Sequence, residues 1–316
     1  MATLSTPAAG AAAGAEVVRA RLTGGKADVR GRVFQLALVG CLGLALVVLA
    51  VLLVDVITGG WEVLSQRLGD FLSGRLSSRP ARAGISQGLA GSFWIAVFVV
   101  CLAFPIGIAA AIYLEEYAPR SRLTRVIDVN IRNLAGVPSV VYGILGFAVF
   151  VKALGSLTGG RTIMAAGITL AVLVLPIVII TAAEAIRAVP DSIREAGFGV
   201  GATRWEVVRG HVLPYAAPGI LTGTVLALAR ALGEAAPLLL VGAVTGFLGS
   251  DFAIFDTNQV RERFTAMPMV IFNWAQQPRD EFRALTAAAI VVLLVVVLLA
   301  NSAAILLRNR YEKKRG

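Results

Sequence analysis

An arginine and a glutamate lie one helical turn apart inside an apolar run of this 316-residue chain, at Arg230 and Glu234. A charged group at mid-membrane costs about 2.5 to 3.5 kcal/mol, so it usually has a partner or faces a watery cavity. Two interpretations are open. The side chains form an ion pair that only satisfies itself, or the guanidinium faces a polar path, where its planar fork of donors suits an oxyanion. In the second case Glu234 orients the arginine and keeps it from holding an anion too tightly.

Two hydroxyl groups upstream are weaker candidates for the same path. Ser139 and Tyr142 lie in the segment NLAGVPSVVYG, on a helix that Gly and Pro interrupt. Their hydroxyls either line a path or bond to backbone carbonyls, which hydroxyl side chains also do in apolar helices. Both interpretations are open.

A second pair of charges closes the fourth apolar run, in the stretch TAAEAIRAVP. Glu184 and Arg187 are three residues apart there, which places them on one helix face. Most pairs of this kind at helix ends are solvated surface pairs. The alternative is an inner gate that links this run to the polar segment that follows it.

A long charged segment, Pro190 to Pro214, separates two membrane-length apolar runs. Ser192 and Glu195 have the S-x-x-E spacing of a capping box, which predicts a short helix that begins just after Ser192. Gly199 and Gly201 predict the end of that helix, because glycine adopts the left-handed conformation at little cost.

A second capping box follows the glycines. Thr203 and Glu206 predict the start of another short helix, and Pro214 is expected to close the segment just before the next apolar run. The segment is therefore predicted to form a helix, a glycine turn and a second helix on the membrane surface.

The composition indicates an all-α polytopic membrane protein. Hydrophobic residues make up 57% of the chain, against about half in a soluble domain. Six apolar runs are long enough to cross a hydrocarbon core about 30 Å thick, and we expect each to be a transmembrane helix. They cover residues 34–57, 88–114, 133–154, 163–186, 215–248 and 284–307.

The fifth run is too long for one straight crossing at about 1.5 Å per residue. It is expected to bend or break at Gly233 or Pro237, because proline removes a backbone hydrogen bond and clashes with the preceding turn. Gly219 and Gly223 form a G-x-x-x-G step, which predicts the close approach of another helix.

Lys and Arg residues predict the orientation, because acidic residues contribute little to the positive-inside rule. Eighteen of them fall on the side that holds both termini and the charged segment, and ten fall on the other side. Both termini and the charged segment are therefore expected to be cytoplasmic. The predicted organisation is a disordered cytoplasmic tail at 1–32, a first transmembrane helix and periplasmic loop at 33–87, a core of five transmembrane helices at 88–307 that includes the loop 190–214, and a basic cytoplasmic tail at 308–316.

Several classes of protein are excluded on composition and motifs. The net charge of +10 is scattered over membrane-flanking loops, which argues against a nucleic-acid interface. One histidine and two cysteines leave no metal site of recognisable spacing, and no cofactor is expected. The chain lacks the G-x-x-x-x-G-K-[ST] loop that cradles nucleotide phosphates, and its apolar runs contain no paired carboxylates or activated nucleophile. An enzyme is therefore not expected.

The charged segment resembles the cytoplasmic loop of ABC-importer permeases, whose pattern is E-A-A, three residues, G, nine residues, then I-x-L-P. The counterparts here are Glu195, Ala196, Gly197, Gly201, His211, Leu213 and Pro214. Gly197 stands where alanine is usual, and His211 stands where isoleucine is usual. The resemblance implies the type I ABC-importer permease fold. It also makes this segment, with Ser192 and Thr203, the coupling helix that docks in a groove of a separate ATPase subunit.

Three further motifs narrow the resemblance. The stretches NLAGVPSVVYG (133–143), ARALGEAAPLL (229–239) and FNWAQQPRDEF (272–282) are similar to permeases of the phosphate-specific importers, and the last is similar to the PstA-type rather than the PstC-type subunit. The family implies import of inorganic phosphate across the bacterial inner membrane, with ATP hydrolysed by a partner. Its implied partners are a PstC-type permease, two PstB-type ATPase subunits, an extracytoplasmic PstS-type phosphate-binding protein and membrane lipid.

The resemblance leaves alternatives open. A permease for another oxyanion, such as sulfate or molybdate, would share the same loop. A channel or an ion-coupled carrier would not need the loop and usually carries more ionisable residues along its spans. Many relatives carry an arginine where this chain has Ile180, shortly after Leu175 and Pro176. Arg230 is therefore the only intramembrane cation expected here.

Overall fold

The computed structural model describes residues 29–243 and 260–313. Within these ranges the chain is built from helices joined by short connections, and they contain no β-strand. The chain divides into two units, residues 1–55 and 56–316. The expected disordered tail at 1–32 lies outside the described residues except for its last four, which already belong to the first helix.

The long helices follow the predicted apolar runs, and short helices form the connections. In chain order they are α1 (Val29–Gln66), α2 (Leu68–Ser73), α3 (Ser86–Ile112), α4 (Arg122–Ala135), α5 (Ser139–Gly146), α6 (Gly155–Thr158), α7 (Ile163–Arg187), α8 (Asp191–Gly199), α9 (Arg204–Val207), α10 (Leu213–Gly233), α11 (Ala236–Val241), α12 (Met267–Ala275) and α13 (Asp280–Lys313). Wider π-helical turns extend α3, α5 and α9 over Tyr113–Tyr117, Phe147–Ala153 and Val208–Val212.

Five helices of the described chain are long and apolar enough to cross a membrane, and one bent pair raises the number of spans to six if it counts as one. The five are Arg30–Gln66, Ser86–Tyr117, Ile163–Arg187, Arg204–Gly233 and Asp280–Ala303. The prediction of an all-α polytopic protein is therefore confirmed.

The third expected span, 133–154, is bent where Gly and Pro interrupt it, as the sequence indicated. α4 and α5 meet at an angle of 99°, and the break falls between Gly136 and Pro138. The cause is Pro138, which has no amide hydrogen to donate and disfavours helical backbone at the residue before it. α4, which carries an apolar and a charged face, therefore lies across the direction of α5.

The expected break in the fifth run is confirmed. α10 ends at Gly233, Glu234 has extended backbone with φ of −80° and ψ of 120°, and the next helix has Pro237 in its first turn. Proline fits there because the first helical amides have no intrahelical partner. Of the expected span 215–248, residues 244–248 lie outside the described part of the chain.

Pro214 does not close the charged segment, contrary to the expectation. The backbone is helical from Arg204 to Gly233, and Pro214 lies in the first turn of α10 within that stretch. The π-helical turn Val208–Val212 comes directly before it. Because the hydrogen-bond ladder is already irregular there, the missing amide and the ring of proline are accommodated. The last surface helix therefore continues directly into a membrane-length helix.

The structure adds detail to the expected first helix and to the expected tail. Within 33–87, the range expected to hold a first transmembrane helix and a periplasmic loop, α1 continues to Gln66 and is followed by α2 and a 3₁₀ turn at Pro80–Arg82. The last helix reaches Lys313, so the described part of the basic tail at 308–316 is helical. Glu, Lys and Arg are good helix formers, so a membrane helix extends easily into its charged flank.

α7 is the buried helix of the bundle and packs against α3, α5 and α10. Its contact with α10 is close, as the G-x-x-x-G step predicts, because Gly219 faces Ala185 and Gly223 faces Thr181. A β-carbon on Gly223 would overlap the Thr181 hydroxyl. Tight packing of this kind holds membrane helices together, since lipid tails remove the hydrophobic force between helices.

We expect Gly223→Leu to lower the melting temperature of the detergent-purified protein, because overpacking a tight contact costs about 1 to 3 kcal/mol. Gly233→Ala is the matched control on the same helix, since a β-carbon there meets nothing within 4 Å. Thermal unfolding followed by fluorescence measures both. Equal melting temperatures for the two variants would contradict the close contact between α7 and α10.

Candidate functional site: the surface loop and the intramembrane ion pair

The surface loop, defined as Pro190 to Pro214, contains α8, a glycine turn and α9 in that order. The predicted capping box of Ser192 and Glu195 is wrong. α8 begins at Asp191 with Pro190 at the capping position, and no side chain caps its first amides. Ser192 therefore lies inside the helix. A capping residue needs non-helical backbone to turn its side chain toward the first free amides, and Ser192 does not have it.

The turn between the two surface helices depends on Gly201. Its backbone is left-handed, with φ of 82°, and its amide donates to the Phe198 carbonyl at 2.9 Å. Any side chain at this φ is strained, even where space is available. The prediction that Gly201 makes the turn is confirmed, whereas Gly199 is the last residue of α8 and does not have positive φ.

The second capping box forms as predicted. The Glu206 amide donates to Thr203 Oγ1 at 3.4 Å, and the Thr203 amide donates to Glu206 Oε2 at 2.8 Å. These reciprocal bonds satisfy two amides at the start of α9. α9 therefore has a fixed beginning, and its backbone runs on into α10.

Gly197 is the point at which the two surface helices touch. It is buried, and a β-carbon there would lie 2.7 Å from Val207 Cγ2. The glycine lets α8 and α9 pack more closely than alanine would allow. Glu195, Ala196 and His211 are exposed, so they lie on the outer surface of the loop.

A buried ion pair ties the surface loop to the membrane helices. Arg194 Nη2 and Nε donate to Glu116 Oε1 at 2.9 and 3.1 Å, and only 7% of the Glu116 side chain is exposed. Arg194 also donates to the carbonyls of Ile186 at 2.9 Å and Val189 at 2.7 Å. One guanidinium thus joins α8 to the end of α3 and to the end of α7.

The expected pairing of Glu184 with Arg187 is wrong. Arg187 Nε donates to Glu115 Oε2 of the α3 extension at 3.2 Å, and Glu184 Oε1 lies 3.8 Å from Arg132 Nη1 of α4. Each side chain has a partner on a neighbouring helix, which the three-residue spacing along α7 does not reveal. The two pairs join α3 and α4 to the same end of α7.

Glu115, Glu116 and Arg194 are site residues that the sequence alone did not indicate. One signal was available, because the two glutamates are the first acidic residues after Asp70 and close an apolar run. A carboxylate buried at such a place needs a partner. Which arginine supplies the partner depends on where α8 packs, and that is a property of the tertiary structure.

The intramembrane pair of Arg230 and Glu234 is formed, with Arg230 Nε 3.5 Å from Glu234 Oε1. Arg230 lies in the last turn of α10, and Glu234 lies just past the helix end. The Arg230 side chain is 44% exposed. Within the described ranges its two terminal nitrogens have no hydrogen bond or ion pair.

Tyr142 bonds to the backbone. Its hydroxyl donates to the Leu134 carbonyl at 2.9 Å, which joins α5 to the last turn of α4 across the bend. Tyr142 also lies within Coulombic range of Arg230, so the structure brings these two predicted path residues together. Ser139 is half-buried at the first position of α5, and Ile180 is half-buried in α7.

Apolar spans, a short helix-turn-helix loop on the surface and a charge pair within the membrane together define a permease component of a membrane transporter. The chain belongs to the family described as the binding-protein-dependent transport system inner membrane component, which it matches over residues 103–313. It is therefore a multi-pass protein of the inner membrane and a component of an ABC transporter.

Relatives of this chain are described as permease proteins of transport systems. The chain is 35% identical over 211 residues to the probable ABC transporter permease protein YqgI of Bacillus subtilis, which covers 65% of this chain and 69% of the relative. It is 33% identical over 237 residues to the phosphate transport system permease protein PstA 1 of Mycobacterium tuberculosis (strain CDC 1551 / Oshkosh), which covers 74% of each.

Solved structures share the fold. A chain of the bacterial alginate ABC transporter, in complex with an alginate pentasaccharide-bound periplasmic protein, has a TM-score of 0.62 at 13% identity and covers 87% of this chain and 93% of that one. A chain of the inward-facing MetNI methionine ABC transporter has a TM-score of 0.58 at 18% identity, with 72% and 95% covered. The expected type I ABC-importer permease fold is therefore confirmed.

We expect Arg194→Leu to destabilise the protein strongly, because it leaves the buried Glu116 carboxylate without a counter-charge. Breaking a buried pair in this way costs about 3 to 5 kcal/mol. Arg132→Leu is the matched control, since the side chains of Arg132 and of its partners Asp128 and Glu184 are 41%, 42% and 58% exposed, and exposed pairs contribute at most about 1 kcal/mol. Thermal unfolding in detergent compares the two, and equal losses would show that Glu116 does not depend on Arg194.

Proposed function

We propose that this chain is one of two transmembrane subunits of an ATP-driven importer of inorganic phosphate. It forms half of the translocation pathway and couples to a separate ATPase. The observation that carries the proposal is the surface loop, a rigid helix-turn-helix that Arg194 and Glu116 tie to two membrane helices. The names of two relatives, the PstA proteins of Mycobacterium tuberculosis and Yersinia pestis, support phosphate as the solute.

The surface loop is the coupling element in this proposal. The exposed Glu195 and Ala196 face the ATPase, while Gly201 sets the shape that docks. When ATP closes the ATPase pair, it pulls the loops of the two permeases together. The pull passes through Arg194 to α3 and α7 and through the continuous helix to α10, which switches the spans between inward-open and outward-open states by rigid-body motion. The remaining coupling residues are Ser192, Gly197, Thr203, Leu213 and Pro214.

The complete transporter has four kinds of partner in this proposal. They are a PstC-type permease, a pair of PstB-type ATPase subunits, an extracytoplasmic PstS-type phosphate-binding protein and the surrounding lipid. Coupling to a cytoplasmic ATPase requires the surface loop and both termini to be cytoplasmic, which agrees with the distribution of Lys and Arg. A cysteine at the exposed Val200 should then react with impermeant reagents only from the cytoplasmic side.

Arg230 is the proposed contact for the anion in the translocation path. Its terminal nitrogens are open while Glu234 holds its Nε, so the guanidinium is oriented and yet able to bind a second anion. Ser139 lines the same path, whereas the hydroxyl of the nearby Tyr142 bonds to the Leu134 carbonyl, so Tyr142 contributes to the wall of the path and does not supply a free donor. A guanidinium binds an anion through its charge and the positions of its oxygens, which sulfate and molybdate share with phosphate. These two anions are therefore the alternative solutes, and competition in the uptake assay distinguishes them from phosphate.

The second proposed element is an inner gate at the loop end of the bundle. Glu184 and Arg187 project from the end of α7 and pair with Arg132 and Glu115 on two other helices. The Glu184 and Arg132 pair is exposed on both sides and exchanges partners at little cost. A movement of the surface loop can therefore open or close this end without breaking the buried pair.

We expect Gly201→Val and Glu195→Lys to uncouple ATP hydrolysis from transport while the protein still inserts. The valine strains a left-handed turn, and the lysine reverses a charge on the docking face. Gly199→Ala is the matched control, because it lies two residues away without positive φ and with nothing within 4 Å of its β-carbon. Phosphate-stimulated ATPase activity in proteoliposomes is the measurement, and normal coupling in both variants would refute the loop assignment.

We expect Arg230→Lys to impair phosphate uptake and Arg230→Gln to come close to abolishing it at unchanged membrane abundance. Lysine keeps the charge but loses the planar fork of donors, and glutamine loses both.

The double variant Arg230→Leu with Glu234→Leu separates a path role from a structural role. If the pair only satisfies itself, removing both charges leaves no unpaired charge in the membrane and uptake is retained. If Arg230 contacts the anion, uptake is lost although the protein is stable. Phosphate uptake at the wild-type rate by the double variant would therefore refute a role of Arg230 in the path.

A further inference from the structure

A large cavity lies at the end of the bundle opposite the surface loop. It has a volume of about 680 Å³. One wall is the connection between α2 and α3, and the other is the end of α12. The second wall contains part of the motif FNWAQQPRDEF, which has no role in the proposed function. We call it the arginine cavity, and its polar lining residues are Arg75, Ser77, Ser78, Arg82, Asn273 and Gln277.

Among the residues that the structure describes, the lining of the arginine cavity includes Arg75 and Arg82 and no carboxylate. Within the described residues the Arg82 guanidinium has no carboxylate within 4 Å, whereas Asp280 on the facing helix is paired with Arg283 at 3.3 Å. A concave surface lined by one sign of charge concentrates counter-ions in front of it.

The cavity is held in shape by the surrounding structure. The Arg67 guanidinium donates to the carbonyls of Pro80 at 2.9 Å and Ala83 at 3.0 Å, which fixes the turn that carries Arg82. The buried Trp274 forms part of the wall and packs against Phe71 and Phe282, with ring centroids 6.2 and 6.0 Å away. The arginines are therefore presented on a fixed frame.

The size of the cavity decides how an anion would be held. A water molecule occupies about 30 Å³ of liquid, so the cavity has room for about twenty waters. An inorganic oxyanion in this space keeps much of its hydration shell, and the two serines, Asn273 and Gln277 supply further hydrogen-bonding groups. Binding of this kind is weak, depends on salt and selects charge rather than shape.

We propose that the arginine cavity is a second oxyanion site of this chain, which collects hydrated phosphate-type anions at the end of the bundle away from the ATPase. The site itself follows from the cavity and its charges. Only its place at the mouth of a phosphate path rests on the proposed function. The same chemistry would accept a carboxylate from a docked acidic segment of a partner, so the experiment must separate the two sources of anion.

The test is the chemical reactivity of a cysteine in the cavity of the assembled transporter in membranes. Ser78→Cys is introduced after Cys41 and Cys101 are changed to alanine, and its reaction rates with an anionic and a cationic methanethiosulfonate reagent are compared. The measured quantity is the rate with the anionic reagent divided by the rate with the cationic reagent. We expect this ratio to be about tenfold higher for the introduced cysteine than for a free thiol in solution. Arg82→Gln should reduce this ratio by at least about twofold.

Arg122→Gln is the matched control, because it removes the same charge from the start of α4, at the loop end of the bundle and far from the cavity. It should leave the rate ratio unchanged. An Arg82→Gln ratio equal to that of Arg122→Gln would overturn the site. All three measurements are labelling rates that need no ATP and no uptake, so they stand or fall separately from the proposed function.

The source of the anion is tested by protection of the same cysteine. Inorganic phosphate should slow labelling more than chloride does at equal ionic strength, and sulfate should protect as well as phosphate, because the cavity selects charge. Both effects should disappear in Arg82→Gln. Protection by a hexaglutamate peptide without protection by phosphate would overturn the proposal and assign the cavity to an acidic protein segment.

Discussion

The carboxylate of Glu116 is buried where the second membrane helix ends, and the arrangement of the surface loop depends on it. Removing a charge from water costs several kcal/mol unless a partner replaces the lost hydration. Arg194 is that partner, and the same guanidinium also satisfies the backbone carbonyls of Ile186 and Val189. A residue of the surface loop therefore completes the ends of two membrane helices, so the loop cannot shift without moving those helices.

Two further contacts carry this rigidity into the bundle. α9 runs into α10 as one helix through Pro214, and α10 packs tightly on α7 through Gly219 and Gly223. Arg230 lies at the far end of α10 from the loop. The surface loop and the intramembrane charge pair are therefore joined by continuous, closely packed helices, which is one physical route by which distant sites can be coupled.

The fold by itself does not select a solute. Structures that share it at 13% and 18% identity belong to transporters of alginate and of methionine, so this fold is compatible with very different solutes. Two arginines of this chain bear on the choice of solute, Arg230 within the spans and Arg82 at the opposite end from the loop. Both present guanidinium donors that the described protein leaves open, which suits a small oxyanion.

Local features of this chain were determined by its sequence. Apolar length predicts membrane helices, and the Thr203 capping box and the turn at Gly201 depend on neighbours within a few residues, so they form as predicted. The predictions that failed depended either on tertiary contacts or on which of two neighbouring residues begins a helix. Pro190 displaces the Ser192 cap, and Glu184 and Arg187 each pair with another helix. The interruption at Pro138 was visible in the sequence, but its angle of 99° was not. The Glu116 and Arg194 pair joins residues 78 positions apart, and only packing of the helices brings such charges together, because spacing along the chain carries no information about contacts at that separation.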